Sequence, residues 1–317
     1  MNEFELIRRI TRSLPANQTV VAGAGDDCAV LDLGIPGQYL LFKTDAVVEG
    51  VHFTKATPPE KAGRKALARC LSDVAAMAGT PTAAVITLGL PADFEAGRVE
   101  AIYGGINLLA ERHGVAIVGG ETTTNPGQIL LSIALVGTVR KEKCLLRSGA
   151  RPGDAIFVTG ELGGSLAMKH LDFEPRLAEA RWLADHFAIH AMIDISDGLA
   201  GDLRHLLLAS RVGGELMSAS IPISRAARLQ ARGDSSSKPP LLAALTDGED
   251  FELLFTVSSR EAVPLLDGWK NQFPGTRLTC IGKVVAGAGL KIRDERGSRE
   301  ITETGYVHFG GAPSIEH

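Results

Sequence analysis

The sequence predicts an α/β protein built as two domains. Apolar runs of strand length alternate with longer segments of helical period throughout the chain. A polar stretch bearing glycine and proline interrupts that alternation near the middle. The length of 317 residues suits two domains of ordinary size, and a 45% apolar fraction against 22% charged residues supplies real cores.

The first fourteen residues, MNEFELIRRITRSL, place Phe4, Ile7, Ile10 and Leu14 at helical spacing. They lack the apolar core and small-residue cleavage site of a signal peptide. Strand-like runs follow at TVVAG, CAVLDL, QYLLFKTDAVV and TAAVITLGL. A long helix is expected between the start at Pro58-Pro59 and the stop at Gly79-Thr80-Pro81. A second, from about Phe94 to His113, is closed by Gly114, and the strands VAIVGG and QILLSIALVGTV come next. The joint is Lys141 to Asp154, KEKCLLRSGARPGD, which sets the domains at 1–140 and 141–317. Beyond it stand AIFVTG, a helical region from Gly164 to Ala188 broken near Pro175, the strand HAMIDIS, and a helix from Gly198. DFELLFTV and TRLTCIGKVV are strand-like, and DSSSKPP (Asp234 to Pro240) is a loop insertion. LSDVAAMAG and ISDGLAGDL share Ser-Asp ahead of small and apolar residues, a short internal echo.

Several function classes are disfavoured. Lys plus Arg number 33 against 37 Asp plus Glu, with no basic run, so nucleic acid is not an expected partner. No apolar run reaches the roughly 18 residues of a membrane span. Cys28, Cys70, Cys144 and Cys280 are scattered without a C-x-x-C pair, as expected of core thiols in a reducing, cytoplasmic setting. The chain contains no G-x-x-x-x-G-K-[ST], no completed G-x-G-x-x-G, no kinase H-R-D…D-F-G set and no G-x-S-x-G elbow.

What recurs is acids embedded in glycine-rich or apolar turns: Asp26 and Asp27 in GDD, Asp45 and Glu49 in KTDAVVEG, Asp73 in LSD, Glu121 in GGETT, Asp194 and Asp197 in IDISDG, and Asp247, Glu249 and Asp250 in DGED. Each has an ordinary structural explanation. Asp after Gly suits a turn, Asp73 follows Arg69 by four residues and could form a surface ion pair, and Asp194, Ser196 and Asp197 precede a helix they could cap. Together they call for more. Two carboxylates about 4 Å apart cost on the order of 4 kcal/mol at an effective dielectric near 20, and a fold stable by about 5–15 kcal/mol cannot hold several such pairs without cations. Two or more Mg²⁺ ions, each taking one or two carboxylates with phosphate and water, would balance them and suit a polyphosphate substrate.

The segments GAGDDCAV, KTDAVVEGVHF, ALARCLSDVAAMAG, IVGGETT, RSGARPGD, IDISDGL, DGEDFELLFTV and GYVHF resemble, in order and across nearly the whole chain, the thiamine-monophosphate kinase family. That family lies within the aminoimidazole-ribonucleotide synthetase and selenophosphate synthetase superfamily. The resemblance implies a synthetase-like α/β (α+β) architecture, with an N-terminal mixed sheet and helices forming a homodimer interface and a C-terminal α/β domain completing the site. It implies an enzyme that uses ATP and Mg²⁺ to convert thiamine phosphate to thiamine diphosphate by direct γ-phosphoryl transfer. Asp27, Thr44, Asp45, Asp73, Glu121, Asp194 and Asp197 are implied metal ligands. Gly120, Glu121, Arg147 and Ser196 are implied nucleotide contacts, and His52, Glu249 and Tyr306 lie on the thiamine side. No general base is expected, because a phosphate monoester with a second pKa of about 6 is already ionised.

The chain departs from the family pattern at Glu121, where Asp is usual, at Lys43, where a small hydroxyl is common, and at Asp247 in DGED. Lys43 shares a strand face with Asp45; its ammonium either stands in for one metal or ends in solvent. The segment between Leu171 and Ile193 is short and keeps only EPRL of a longer proline-arginine stretch. Two rivals follow: a superfamily relative with another phosphorylated acceptor, and a Mg-nucleotide-binding regulatory protein that no longer transfers phosphate.

Overall fold

The computed structural model describes residues 3–167, 169–233, 237–303 and 305–306. Val307 to Phe309 of the GYVHF segment lie outside them, as do residues 234–236 of the expected loop insertion. The first part runs α1 (Glu3–Thr11), β1 (Val20–Ala22), β2 (Ala29–Leu31), β3 (Gln38–Val48), α2 (Pro59–Ala76), β4 (Thr80–Leu90), α3 (Ala96–His113), β5 (Ala116–Thr124) and β6 (Leu130–Arg140). Its strands form a six-stranded sheet in the order β1-β2-β3-β6-β4-β5. Only β4 and β5 pair in parallel, joined by the α3 crossover.

The second part runs β7 (Asp154–Thr159), α4 (Lys169–Asp172), α5 (Leu177–His186), β8 (Ile189–Asp194), α6 (Leu199–Ser210), β9 (Gly213–Met217), α7 (Arg225–Gly233), α8 (Pro240–Thr246), β10 (Leu253–Ser258), α9 (Ala262–Gln272), β11 (Leu278–Val285), β12 (Leu290–Asp294) and β13 (Gly297–Glu300). Its seven strands lie in the order β13-β12-β9-β11-β7-β10-β8. Both sheets are mixed, so the α/β class expected from the alternation is the observed one.

Helix α2 organises the interior. Pro59 occupies its first turn, where a missing N–H costs nothing. From Ala62 onward most of it is buried, including the charged Lys65 and Asp73. It crosses α3 closely enough that a Cβ on Gly63 would sit 1.9 Å from the Ile102 carbonyl oxygen. One core cluster joins Leu67, Leu71 and Val74 of α2 to Leu131, Ile133 and Leu135 of β6, and also to Phe157 of β7 and Phe255 of β10. The alternation of β7 sends Phe157 into that cluster and Ile156 and Val158 into a second one, with Leu199, Leu203 and Leu206 of α6. α2 is thus packed by both sheets, and charged residues on its flank lie where the two sheets meet.

The other face of the six-stranded sheet carries Phe42, Val85 and Val118, which are 46%, 41% and 65% exposed. β9, β12, β13 and α7 to α9 were not foreseen. β9 opens on two glycines and β13 is polar and exposed along its length, so neither carries an apolar period. β5 runs on to Thr124, which places Glu121 in a strand rather than the turn expected for it.

Candidate functional site

Three buried aspartates meet at the α2 flank. Asp73 comes from α2 itself, Asp27 from the turn between β1 and β2, and Asp194 from the last position of β8. One carboxylate oxygen from each lies within 4.8 Å of the other two. Burial, with the charges of the neighbouring acids, pushes Asp194 up to about 6 and Asp73 well above the usual carboxylate range. The structure therefore brings together residues separated by up to 167 positions, from both sides of the joint.

Each acid has a different partner. Lys43 Nζ lies 2.9 Å from Asp73 Oδ1. Arg147 Nη2 donates to Asp27 Oδ1 at 2.5 Å and its Nε at 3.2 Å. Asp194 accepts a hydrogen bond from the Ser72 hydroxyl at 2.6 Å. The twin aspartates of the GDD turn divide their work. Asp26 accepts from the backbone N–H of Asp27 and Arg147, pinning the turn to the joint segment, while Asp27 faces the cluster. Burial first, and then the Asp27 charge, raises Asp26 to about 6.

Asp45 lies on the same sheet face as Lys43, where Arg69 of α2 holds it through Nε at 2.8 Å and Nη2 at 3.2 Å. The expected Arg69–Asp73 surface pair is therefore not the arrangement found: Arg69 turns to Asp45, and Asp73 to Lys43. Lys43 also does not end in solvent, since its side chain is only 23% exposed and its tip is on Asp73.

A second group adjoins the first along α2. Lys65, four residues before Arg69 and eight before Asp73, is fully buried. Its ammonium sits 2.7 and 2.8 Å from the two Glu249 oxygens and 2.8 Å from His170 Nδ1, and donates to the His52 carbonyl at 2.7 Å. Burial pushes the Glu249 carboxyl up, but His170, Lys65 and Arg69 outweigh it and hold the acid at about 2. Burial and the positive charges of Arg69 and Lys65 lower His52 to about 4, so its ring is neutral at neutral pH. Val48 N–H donates to His52 Nδ1 at 3.1 Å. Glu249 takes a left-handed φ of 54°, a costly conformation for a residue with a Cβ, while its N–H donates to the Ser196 carbonyl. That bond fastens the DGED turn to the ISDG turn. Tyr306 joins them through its N–H to the Asp197 carbonyl at 2.8 Å.

Other expected ligands stand apart. Thr44 is exposed, and strand alternation puts it on the sheet face opposite Asp45. Glu121 pairs with Thr87 on β4, so it also falls on the face opposite Ile86 and Gly120; it is exposed and accepts from the Thr122 N–H. Neither belongs to the three-carboxylate group found among the described residues. The side chains of Asp194, Ser196 and Asp197 do not cap α6; instead Asp202 reaches back to the N–H groups of Asp197 and Gly198 at 3.0 and 3.1 Å.

The donor set fits a divalent cation. Asp27 Oδ2 is buried and has no hydrogen-bond partner, and such an oxygen amid like charges is costly unless a cation completes it. All-oxygen donors suit a hard ion such as Mg²⁺.

Comparison with known proteins gives this geometry a lineage. Residues 25–139 match the family model described as AIR synthase related protein, N-terminal domain. A thiamine-monophosphate kinase of Rhodopirellula baltica is 41% identical over 313 residues, covering 95% of each chain. The chain belongs to the thiamine-monophosphate kinase family. A member from Bacillus subtilis is 33% identical over 98% of this chain and 100% of its own. A solved structure described as AaThiL complexed with AMPPCP and TMP has a TM-score of 0.79 at 32% identity, covering 97% of both chains.

Within this kinase family member, sequence reasoning missed Lys65, Ser72 and His170, and the possible Arg69–Asp73 pair is not the one that forms. A signal existed for two of them: Lys65, Arg69 and Asp73 recur every four residues and so share one helix face. A charged stripe on a helix whose other faces are apolar points at something polar in the interior. His170 carried no such signal. The retained EPRL now has a reason, since Arg176 binds the buried Glu252 through Nε at 2.8 Å and Nη2 at 2.9 Å.

Proposed function

We propose that this protein transfers the γ-phosphoryl group of ATP directly and in line to thiamine phosphate, forming thiamine diphosphate in the cytoplasm. The observation that carries the reading is the buried meeting of Asp27, Asp73 and Asp194, with its orphaned Asp27 oxygen, in a chain aligned over 97% of its length with a relative that holds AMPPCP and TMP.

In this reading Asp27, Asp73 and Asp194 would hold divalent ions, two or more of them Mg²⁺, with Asp45 and Asp197 at further positions, whereas Thr44 and Glu121, on the opposite sheet face, would need a separate ion. When bound, such ions draw charge from the phosphate oxygens and align the transferring group with its acceptor. The chain's own residues do the rest. Arg147 and Arg69 neutralise and orient Asp27 and Asp45, so the carboxylates are preorganised before substrate arrives. Gly120, Glu121, Arg147 and Ser196 lie on the nucleotide side. Glu249, kept ionised by Lys65, faces the cationic ring of the acceptor together with neutral His52, and Tyr306 offers an aromatic face. An acceptor phosphate oxygen attacks the γ-phosphorus and ADP leaves with the bridging oxygen. No side chain need take a proton, because that phosphate is already ionised with a second pKa of about 6.

Residues 1–140 supply most of the ion site, and 141–317 complete it. A second copy covers the sheet face bearing Phe42, Val85 and Val118, whose exposed apolar side chains are what a homodimer would bury.

The test is transfer from ATP to a panel of phosphorylated acceptors, with products separated. Thiamine diphosphate formed fastest from thiamine phosphate supports the reading. ATP binding with no thiamine diphosphate formed, or a preferred different acceptor, refutes it.

A further inference from the structure

The carboxylate cluster already contains a cation of its own. Lys43 rises from β3 on the face that packs against α2, and its Nζ makes a 2.9 Å contact with Asp73 Oδ1. The count of charges around this point is uneven. Asp27 is matched by Arg147, Asp45 by Arg69 and Asp73 by Lys43, whereas Asp194 has only the neutral Ser72 hydroxyl. Arg147 holds its acid with a two-nitrogen fork, whereas Lys43 sets a single point charge on Asp73, one of the three acids whose oxygens converge.

We infer that the Lys43 ammonium is a resident cation in the metal cluster, occupying the place of one divalent ion, so that this protein assembles its nucleotide site with one ion fewer than the same acids would otherwise gather. This rests on the reading of the cluster as a Mg-nucleotide site. An ammonium is a compact charge with three donors, able to satisfy a carboxylate but unable to accept phosphate oxygens as ligands. Its function is to fix Asp73 and lower the number of ions that must be captured before ATP is held.

Counting bound ions decides the matter without any measurement of turnover. Wild type and Lys43→Ser are titrated with Mn²⁺ at saturating AMPPCP, and bound ions per chain are read from the free Mn²⁺ signal in electron paramagnetic resonance. Both proteins are purified in Mg²⁺ and then exchanged, so a variant that needs the ion to fold is still counted, and Lys43→Thr is run in parallel. The expected result is one more Mn²⁺ per chain in the small-residue variants, with a larger rise in melting temperature on adding Mg²⁺ than in wild type. Equal, non-zero counts overturn this inference and leave the functional reading standing. No Mn²⁺ bound by any of the three proteins overturns the functional reading and the inference with it. Variants that stay unfolded with metal and nucleotide present make Lys43 an element of the fold and also overturn the inference.

Discussion

Replacing Asp194 by asparagine should make the ion-free protein more stable while nearly abolishing its activity. Asp194 has oxygen neighbours on Asp27 and Asp73 within 4.8 Å, and among the described residues it forms no direct ion pair, only a hydrogen bond from Ser72. One such pair at that distance costs about 3.5 kcal/mol at an effective dielectric of 20. Burial first, and then the Asp27 charge, raise the carboxyl from 3.8 to about 6, so ionising Asp194 in the fold costs about 3 kcal/mol in all, at about 1.4 kcal/mol per unit. The Ser72 hydrogen bond to asparagine is weaker than to a carboxylate, so the net gain at pH 8 is expected at about 1–3 kcal/mol. At about 2–4 °C per kcal/mol that is a melting temperature higher by about 2–12 °C. The pH dependence supplies an internal control. The folded carboxyl, with its raised pKa, holds its proton more tightly than the unfolded one, so wild-type stability falls as the pH rises from about 4 through about 6 and levels off above. The variant lacks the Asp194 share of that slope, and its advantage should vanish near pH 4. Urea denaturation with EDTA at pH 4, 6 and 8 measures this, with thiamine diphosphate formation followed alongside. A variant less stable than wild type at pH 8 would refute the claim that the three acids are held against their mutual repulsion.

Lys65→Met should cost about 3–5 kcal/mol, because the largely buried Glu249 then loses the ammonium that contacts both its oxygens, keeping only His170 and the more distant Arg69. A double-mutant cycle with Glu249→Gln should show coupling above about 1 kcal/mol, and additivity would count against the pair. Asp250 is buried, accepts the Gly163 N–H at hydrogen-bond distance, and is pushed by burial up to about 7. Stability should therefore decline between pH 4 and 7, and Asp250→Asn should remove part of that decline in thermal melts; an unchanged slope argues otherwise. Phe42→Arg, on the open sheet face, should shift sedimentation from dimer to monomer, and a wild-type protein already monomeric at micromolar concentration would dispose of the proposed interface.

Much of the site was legible because local patterns are short-range. Alternation marked β3, and its period of two already put Lys43 and Asp45 on one face and Thr44 on the other. Proline at the start and glycine at the end bracketed α2. The charge argument said only that such acids would need cations if they converged; the family resemblance named the positions, and the structure supplied the convergence of Asp27, Asp73 and Asp194. Less was legible in the second sheet, where β9, β12 and β13 pair through contacts that leave no apolar period in GGELM or GSRE. DGED and ISDG could be read as acidic turns, but the left-handed Glu249 that fastens one to the other could not.

By itself the sequence determined the class of fold and the acids available to a site, since these depend on residue type and on spacing within a helix turn or a strand. Only the tertiary structure decided the pairing: Arg69 with Asp45 rather than its neighbour four residues on, Lys43 with Asp73, Lys65 with Glu249, and Glu121 facing away from the acids. The physical reason is range. A buried charge is settled by whichever opposite group lies about 3 Å away after the core has packed, and burial of α2 between two sheets, not distance along the chain, chooses that neighbour.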